Sequence, residues 1–173
     1  MRAREGTLGL GPCVIGVDPG TNVLGVCLMD PRGEVLETAC VRSGNGGLLD
    51  REGDLHGKLH GVFVKLQKKY KFDQTPIVAI EEGIFSGRHV HPKVVAMLAE
   101  IRGIVMAEAW TMGFVVMKVS VASWKAGMSA VERAMRKDRA YAKYWGARYR
   151  ADFKTPDEAD ATHIAAYVVA GVV

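Results

Sequence analysis

The sequence predicts an α/β protein built on a five-stranded mixed sheet, and three observations support this fold class. Three short β-prone runs come first, at residues 13–18, 24–29 and 35–42, and Pro/Gly turns separate them. A long segment with helical spacing of its apolar residues follows at 48–70. Beyond it, strand-like and helical runs alternate, as in proteins whose helices connect parallel strands. We therefore expect three antiparallel strands, then two parallel strands, flanked by helices.

The remaining segments complete this order. They are a strand at 77–81, a helix at 89–112, a strand at 114–119, a basic and aromatic helix at 131–150 and a last helix at 157–169, with Pro156 as its start signal. Three glycines at positions 53, 57 and 61 weaken the first helix and would permit close packing there. The helix at 89–112 is apolar around more than one face. One side should face the sheet and the other a second helix or a second subunit, which makes this helix the best candidate for a dimer contact.

Bulk properties limit the classes of protein. The 173 residues suit a single domain over 13–173, preceded by a flexible arm at 1–12. A net charge of +4 and a pI near 9.0 permit a nucleic-acid partner. The odd count of three cysteines (Cys13, Cys27 and Cys40), without metal-ligand spacing, indicates reduced thiols. No apolar run reaches membrane-spanning length and no signal-peptide core is present, so we expect a cytoplasmic protein without a membrane partner.

Four acidic residues stand at the ends of apolar segments. Asp18 ends the first strand and Glu81 ends the fourth, while Asp157 and Asp160 share one face at the start of the last helix. Asp18 is equally typical of an Asx turn, and acids in a first helical turn often complement the helix dipole. If the first and fourth strands are neighbours, however, their ends converge, and the last helix could cover that point.

Such a cluster has a definite chemistry. Neighbouring carboxylates repel one another unless a cation neutralises them, and an all-oxygen ligand set suits Mg²⁺ or Mn²⁺. Two such ions ~4 Å apart activate a water and stabilise the leaving oxygen in phosphodiester cleavage. The residues thus leave two interpretations open, a two-metal nuclease and a set of structural acids.

Five motifs, in order along the chain, resemble those of one family. They are Ile-Gly-Val-Asp-Pro-Gly-Thr at 15–21, Ala-Ile-Glu-Glu at 79–82, Leu-Ala-Glu-Ile-Arg-Gly at 98–103, Ser-Trp-Lys at 123–125 and Asp-x-x-Asp-Ala at 157–161. The sequence resembles the RuvC family of Holliday-junction resolvases, within the RNase H-like superfamily. The resemblance spans nearly the whole chain, and the four acids in the family's order are its most specific part.

The resemblance implies an RNase H-like fold and a function. It implies that Asp18, Glu81, Asp157 and Asp160 are catalytic and bind two Mg²⁺ ions, for which Mn²⁺ would substitute. It further implies a homodimer whose two sites nick opposite strands of four-way junction DNA symmetrically, since a two-fold dimer suits a two-fold substrate.

The resemblance also suggests DNA-binding residues. Phe85 resembles an aromatic residue that wedges against bases near the crossover, although a core position would also explain it. Candidate phosphate contacts are Arg88, Lys125, Lys137 and Arg139.

Some features depart from the family's pattern. The segment at 131–150 is unusually rich in basic and aromatic residues, and the dozen residues before the first strand are extra. These departures suggest a divergent branch, phage-encoded (and then acting in the host cytoplasm) or organellar. They leave the cleavage-sequence preference and a helicase partner open. We expect His163 to be a packed or surface histidine, and Glu158 a solvent-side or helix-start acid.

Three alternatives remain at this stage. An actin-like or sugar-kinase-like ATPase also carries Asp-x-Gly-Thr after its first strand, but normally over a much longer, duplicated chain. A DNA-binding module without catalysis would account for the basic-aromatic segment. A monomeric nuclease of the same fold would act on another structured or branched DNA.

Overall fold

The computed structural model describes residues 11–44, 48–83, 91–126, 128 and 139–172, and it confirms the five-stranded mixed sheet. The strands are β1 (Val14–Pro19), β2 (Val23–Met29), β3 (Val35–Arg42), β4 (Ile77–Glu82) and β5 (Val115–Ser120). Their spatial order is β3-β2-β1-β4-β5. The pairs β1/β2 and β2/β3 are antiparallel, whereas β1/β4 and β4/β5 are parallel. The first and fourth strands are therefore neighbours at the centre of the sheet.

Five helices flank the sheet in the described part of the chain. They are α1 (Leu48–Lys69), α2 (Pro92–Thr111), α3 (Val121–Lys125), α4 (Arg139–Tyr149) and α5 (Pro156–Val172). Helix α2 begins three residues later than the sequence predicts. Pro92 has no N–H to lose at the first helical position, and the His91 side chain caps the helix by accepting a hydrogen bond from the Lys93 N–H at 3.2 Å. Of the helix expected at 131–150, the structure describes 139–149, and most of the expected arm at 1–12 lies outside the described residues.

The two faces of the sheet carry separate cores. Ile15 and Val17 of β1 pack with apolar residues of α1 and α2. Val14 packs in the other core, which contains residues of α3, α4 and α5. This alternation places every second residue of β1 on the α5 face, as a pleated strand requires.

Helix α5 lies directly on the backbone of the two strands beneath it. A Cβ added to Gly16 would come within 2.0 Å of the Ala161 carbonyl oxygen, and one added to Gly25 within 2.0 Å of the Asp157 carbonyl oxygen. By contrast, the glycines at 53, 57 and 61 of α1 face open space, so the close packing predicted there is wrong. The close approach belongs to the sheet glycines instead.

Among the described residues, helix α2 is buried along one side. Ile101, Val105 and Ala109 are buried between the sheet and α1. Val94 and Trp110, in contrast, are exposed, Trp110 by 63%. The predicted second apolar side therefore exists and is not covered by the described part of this chain.

All three cysteines are free thiols. Burial, with a smaller contribution from nearby carboxylates, raises the pKa of Cys13 to about 11, and burial raises that of Cys27 to about 12. No helix in the described ranges is both long and apolar enough to cross a membrane.

Candidate active site

Asp18 and Glu81 occupy equivalent places on the two central strands. Strands β1 and β4 run parallel with Val17 opposite Ile80, and the two acids are the next residues along each strand. Asp18 is two residues beyond Gly16, and Glu81 is two beyond Ala79, both of which face α5. Because side chains alternate along a strand, both acids belong to the face that α5 covers. The convergence predicted for these two acids is therefore present in the backbone.

The first turn of α5 is fixed by a capping box. The Thr155 hydroxyl accepts a hydrogen bond from the Glu158 N–H at 3.3 Å, and Glu158 Oε2 accepts one from the Thr155 N–H at 2.9 Å. Glu158 Oε2 also accepts from the Lys154 N–H at 2.6 Å. Glu158 is only 2% exposed. It is a helix-start acid as expected, but the solvent-side alternative is wrong because capping turns its side chain back into the protein.

This anchored turn carries the other two acids to the end of β1. The Asp157 carbonyl lies over Gly25, and Gly25 is the cross-strand partner of Asp18. Burial raises the pKa of the Asp157 carboxyl, and the negative charge of Asp160 raises it further, against the opposing effects of a backbone hydrogen bond and Arg42. Asp157 and Asp160 are therefore close enough to repel one another.

Glu81 is held by two side chains of α3. Its Oε2 accepts a hydrogen bond from the Trp124 indole N–H at 3.1 Å, and the Lys125 ammonium lies 3.7 Å from the same oxygen. Lys125 also lies over the Trp124 ring, 4.6 Å from its centre. The serine-capped turn that starts α3, with the Ser123 N–H donating to Ser120 Oγ, aims both residues at the strand end.

Arg102 of α2 approaches the strand-end acids as well. Its Nε donates to the Glu81 carbonyl oxygen at 2.8 Å. Burial lowers the pKa of the guanidinium, and the charges of Glu81, Asp18 and Glu82 oppose that effect. Arg102 therefore contributes a fixed positive charge beside the candidate site.

Asp160 adjoins a cluster of aromatic rings. The Tyr141 hydroxyl donates to Asp160 Oδ1 at 2.8 Å, and both residues are buried. His163, one turn further along α5, is packed among aromatic rings. We call these rings the aromatic cluster: Trp124, Tyr141, Trp145 and Tyr149. The expectation that His163 is a packed histidine is thus met.

The donor atoms of the four acids are of the kind that a divalent metal ion prefers, but their side chains are not gathered around one point. An all-carboxylate set is the kind that Mg²⁺ and Mn²⁺ prefer. Burial is the main cause of the raised pKa of Asp157 and the charge of Asp160 adds to it, and a nearby cation would oppose both effects. Over the described ranges, however, no three His, Cys, Asp or Glu side chains are gathered closely enough to hold an ion. Glu81 and Asp160 point instead to their aromatic donors.

Only some of the predicted DNA-binding residues lie in the described part of the chain. Lys125 lies beside Glu81, as a phosphate-binding residue at the site would need to. The backbone of Arg139 begins α4, whereas Phe85, Arg88 and Lys137 lie outside the described residues.

Sequence reasoning did not assign site contacts to Arg102, Trp124 or Tyr141. Arg102 and Trp124 stand inside two of the motifs, which is a signal that could have singled them out. Tyr141 carried no such signal, because its contact with Asp160 depends on how α4 packs against α5.

The sheet order and the acids at its centre define a class of protein. A mixed β3-β2-β1-β4-β5 sheet, with acids ending β1 and β4 and a helix with an acidic start across them, is an RNase H-like fold.

The comparisons give the family. The sequence model of the family described as crossover junction endodeoxyribonuclease RuvC matches residues 14–166, and the chain therefore belongs to the RuvC family. Membership of this family excludes the ATPase interpretation. No curated protein matches the chain.

Solved structures agree on the fold. Thermus thermophilus RuvC in complex with a Holliday-junction substrate is 19% identical, with a TM-score of 0.66, and the alignment covers 91% of this chain and 92% of that one. Another Thermus thermophilus RuvC structure is 19% identical, with a TM-score of 0.63 and coverage of 92% and 97%. The yeast mitochondrial Holliday-junction resolvase Ydc2 is 14% identical, with a TM-score of 0.55 and coverage of 91% and 78%.

Proposed function

We propose that this protein is a divalent-metal-dependent endonuclease that resolves four-way DNA junctions by paired, symmetric nicking. Asp18, Glu81, Asp157 and Asp160 are its catalytic acids and bind two Mg²⁺ ions, with Mn²⁺ as a substitute. Membership of the RuvC family supports the activity. The substrate proposal draws support from the junction-bound Thermus thermophilus structure of the same fold.

One observation carries the proposal most directly. The ends of β1 and β4 lie side by side, and the start of α5 lies over the strand that pairs with β1. The backbone positions of the four acids, on three separate elements, thereby lie at one end of the sheet. Structural acids would not need such a common location, because an Asx turn or a helix dipole is satisfied locally.

The chain's own residues have separable tasks in this reaction. Bound divalent ions supply an activated water and charge stabilisation at the leaving oxygen. The four carboxylates provide the negative charge that holds those ions. Lys125, close to Glu81, is placed to bind a phosphate oxygen of the DNA strand. Arg102 fixes the end of β4 through the Glu81 carbonyl, which keeps that carboxylate at the site.

The remaining DNA contacts belong to the same proposal. Phe85 wedges against bases at the crossover, and Arg88, Lys137 and Arg139 bind phosphates together with Lys125. Binding should therefore weaken steeply as salt concentration rises.

Paired nicking requires two active sites, which we assign to a homodimer formed through α2. The exposed Val94 and Trp110 support this choice, since both are large apolar side chains that the described residues leave uncovered on this helix. Light scattering coupled to gel filtration should give twice the chain mass of 18.8 kDa. A monomer at micromolar concentration would contradict paired nicking.

The test of the activity is cleavage of a synthetic four-way junction, compared with a linear duplex of the same sequence. We expect paired nicks with Mg²⁺, none with EDTA, and none with Glu81→Gln. Glu82→Gln is the matched control, because Glu82 is exposed, stands one residue along and points to the opposite face. Cleavage by Glu81→Gln at the wild-type rate would refute the assignment.

A second candidate is a junction-binding protein without nuclease activity. The described acids do not gather into a group of three, which is the observation that favours it. This candidate predicts that the wild type binds the junction tightly and leaves it intact with either Mg²⁺ or Mn²⁺. The same cleavage experiment therefore separates the two functions.

A further inference from the structure

We propose that Trp124 and Tyr141 are positioning residues for the active site, each holding one catalytic carboxylate in place through a hydrogen bond. Trp124 holds Glu81, and Tyr141 holds Asp160. The inference rests on the proposed function, because it concerns acids assigned to metal binding there. It adds two residues to which neither the family motifs nor the chemistry of the acids assigns a role.

In both hydrogen bonds, the donor and the acid lie on different elements of the fold. The Trp124 N–H reaches Glu81 Oε2 at 3.1 Å, and the Tyr141 hydroxyl reaches Asp160 Oδ1 at 2.8 Å. Neither donor belongs to the element that carries its acid. Trp124 is on α3 and Tyr141 on α4, whereas the acids are on β4 and α5. Each bond thus ties an acid to a separate part of the fold.

Both donors are locked by their surroundings. Tyr141 is fully buried and Trp124 is 4% exposed. The Trp124 ring stacks on His163 at an interplanar angle of 10°, and the Tyr141 ring lies 6.2 Å from the same histidine. The Trp145 ring also packs edge-on against His163, with 4.1 Å between the ring centres. A buried ring has few rotamers, so each donor atom occupies a fixed point.

A fixed donor sets the orientation of the carboxylate plane, and metal binding depends on that orientation. A carboxylate has two oxygens and about four lone-pair sites, so one hydrogen bond leaves acceptor capacity for an ion. Hydrogen-bonded ligands of this kind typically lose 10–100-fold in metal affinity or activity when the partner is removed.

The decisive variant is Tyr141→Phe, which keeps the ring and deletes only the hydroxyl. Its matched control is Tyr144→Phe, on the same helix but 44% exposed. We would titrate each full-length protein with Mn²⁺ by calorimetry, without DNA. The expected result is a dissociation constant raised about 10–100-fold in Tyr141→Phe and unchanged in Tyr144→Phe. Junction binding in EDTA should be the same for both, and saturating Mn²⁺ should restore cleavage by Tyr141→Phe.

Trp124→Phe tests the other bond, since it removes the indole N–H and keeps an aromatic ring against His163. It should weaken Mn²⁺ binding to a similar degree. Thermal melts of each variant show whether it is folded at the temperature of the titration. A variant that is folded only below room temperature would be titrated in the cold, where the expected ratio is the same.

Three outcomes would overturn the inference. Unchanged Mn²⁺ affinity with a lowered melting temperature means that the hydroxyl only satisfies a buried carboxylate. Tighter Mn²⁺ binding means that the hydroxyl competes with the ion. The third outcome is a wild-type chain that binds no divalent ion, which overturns the proposed metal site together with the inference. The wild-type titration alone distinguishes this outcome from the first two.

Discussion

Substituting Gly25 by alanine should move the start of α5 away from the sheet. The new Cβ would lie 2.0 Å from the Asp157 carbonyl oxygen and 2.9 Å from the Glu158 nitrogen, both backbone atoms. No side chain can rotate aside to make room. To reach an ordinary contact of 3.4 Å, the helix start must retreat by about 1.4 Å.

This displacement sets the size of the effect. Overpacking of a well-packed interior costs about 1–3 kcal/mol, against which the lower backbone entropy of alanine in the unfolded chain returns about 0.5–1 kcal/mol. Because the clash is with backbone atoms that cannot rotate aside, we take the middle to upper part of the difference and expect a net loss of about 1–2 kcal/mol. For a chain of this length that lowers the melting temperature by roughly 2–8 °C. Cleavage should fall about 100-fold, because a displacement near 1 Å at a reacting centre has that effect.

The assay is urea denaturation, with junction cleavage as the second readout. Gly61→Ala is the control, since it is the same substitution inside α1, where nothing lies within 4 Å of the new Cβ. That control should gain about 1 kcal/mol from helix propensity and cleave normally. The reasoning would be refuted if Gly25→Ala were as stable as the wild type, or if both variants shifted in the same direction.

Three further predictions concern stability. Glu37→Gln should cost up to about 1 kcal/mol at pH 7. Although burial opposes it, pairing with Lys65 and Lys69 holds the pKa of Glu37 below its usual 4.5. Stability from this pairing is present above pH 4.5 and is lost as pH falls through the lowered pKa, so the variant and wild type should converge in acid melts. The double variant His56→Ala with His60→Ala should lower the free energy of unfolding by about 3 kcal/mol in urea denaturation, because it leaves the buried Glu108 carboxylate without these two partners. Glu108→Leu, which removes the carboxylate itself, should lower it by less than about 1 kcal/mol. Glu158→Ala should cost about 1 kcal/mol by opening the capping box, and the same loss in Glu158→Gln would contradict this, since an amide oxygen still accepts.

The parts of the fold that local sequence specifies were predicted well. The Asp-Pro-Arg-Gly turn at 30–33 is one example. Asp30 Oδ1 accepts the Arg32 and Glu34 N–H groups at 2.9 and 2.8 Å, and Gly33 takes the left-handed φ of +82°. Residue types at adjacent positions determine such a turn, so one short segment suffices to recognise it.

The start of α2 illustrates a signal that was present and misjudged. The apolar pattern extends toward residue 89, but Pro92 fits the first helical position and His91 fits the cap. The spacing of apolar residues indicates that a helix is present, whereas the capping residues determine where it begins.

The side-chain contacts to the acids of the candidate site could not be predicted from local sequence. Tyr141 and Asp160 are 19 residues apart, and Trp124 and Glu81 are 43 apart. Tyr141 meets Asp160 because α4 packs against α5, and Trp124 meets Glu81 because α3 packs on the same face of the sheet as Glu81. Both kinds of packing depend on the whole core. The sequence therefore predicted the candidate acids, whose positions at strand ends and at a helix start are local properties, but not the side chains that contact them.

The glycines under α5 explain why acids so distant in sequence share one place. A side chain at Gly16 or Gly25 would separate the helix from the sheet, so its backbone lies against theirs only because both positions lack a Cβ. The backbones that carry Asp18 and Asp157 are thereby fixed relative to one another. Glu81 and Asp160 are fixed further, by their aromatic donors. On the proposed function, ion binding then requires no movement of the helix against the sheet. Burial raises the pKa of the Asp157 carboxyl and the charge of Asp160 raises it further, so a cation at this place would favour the ionised form.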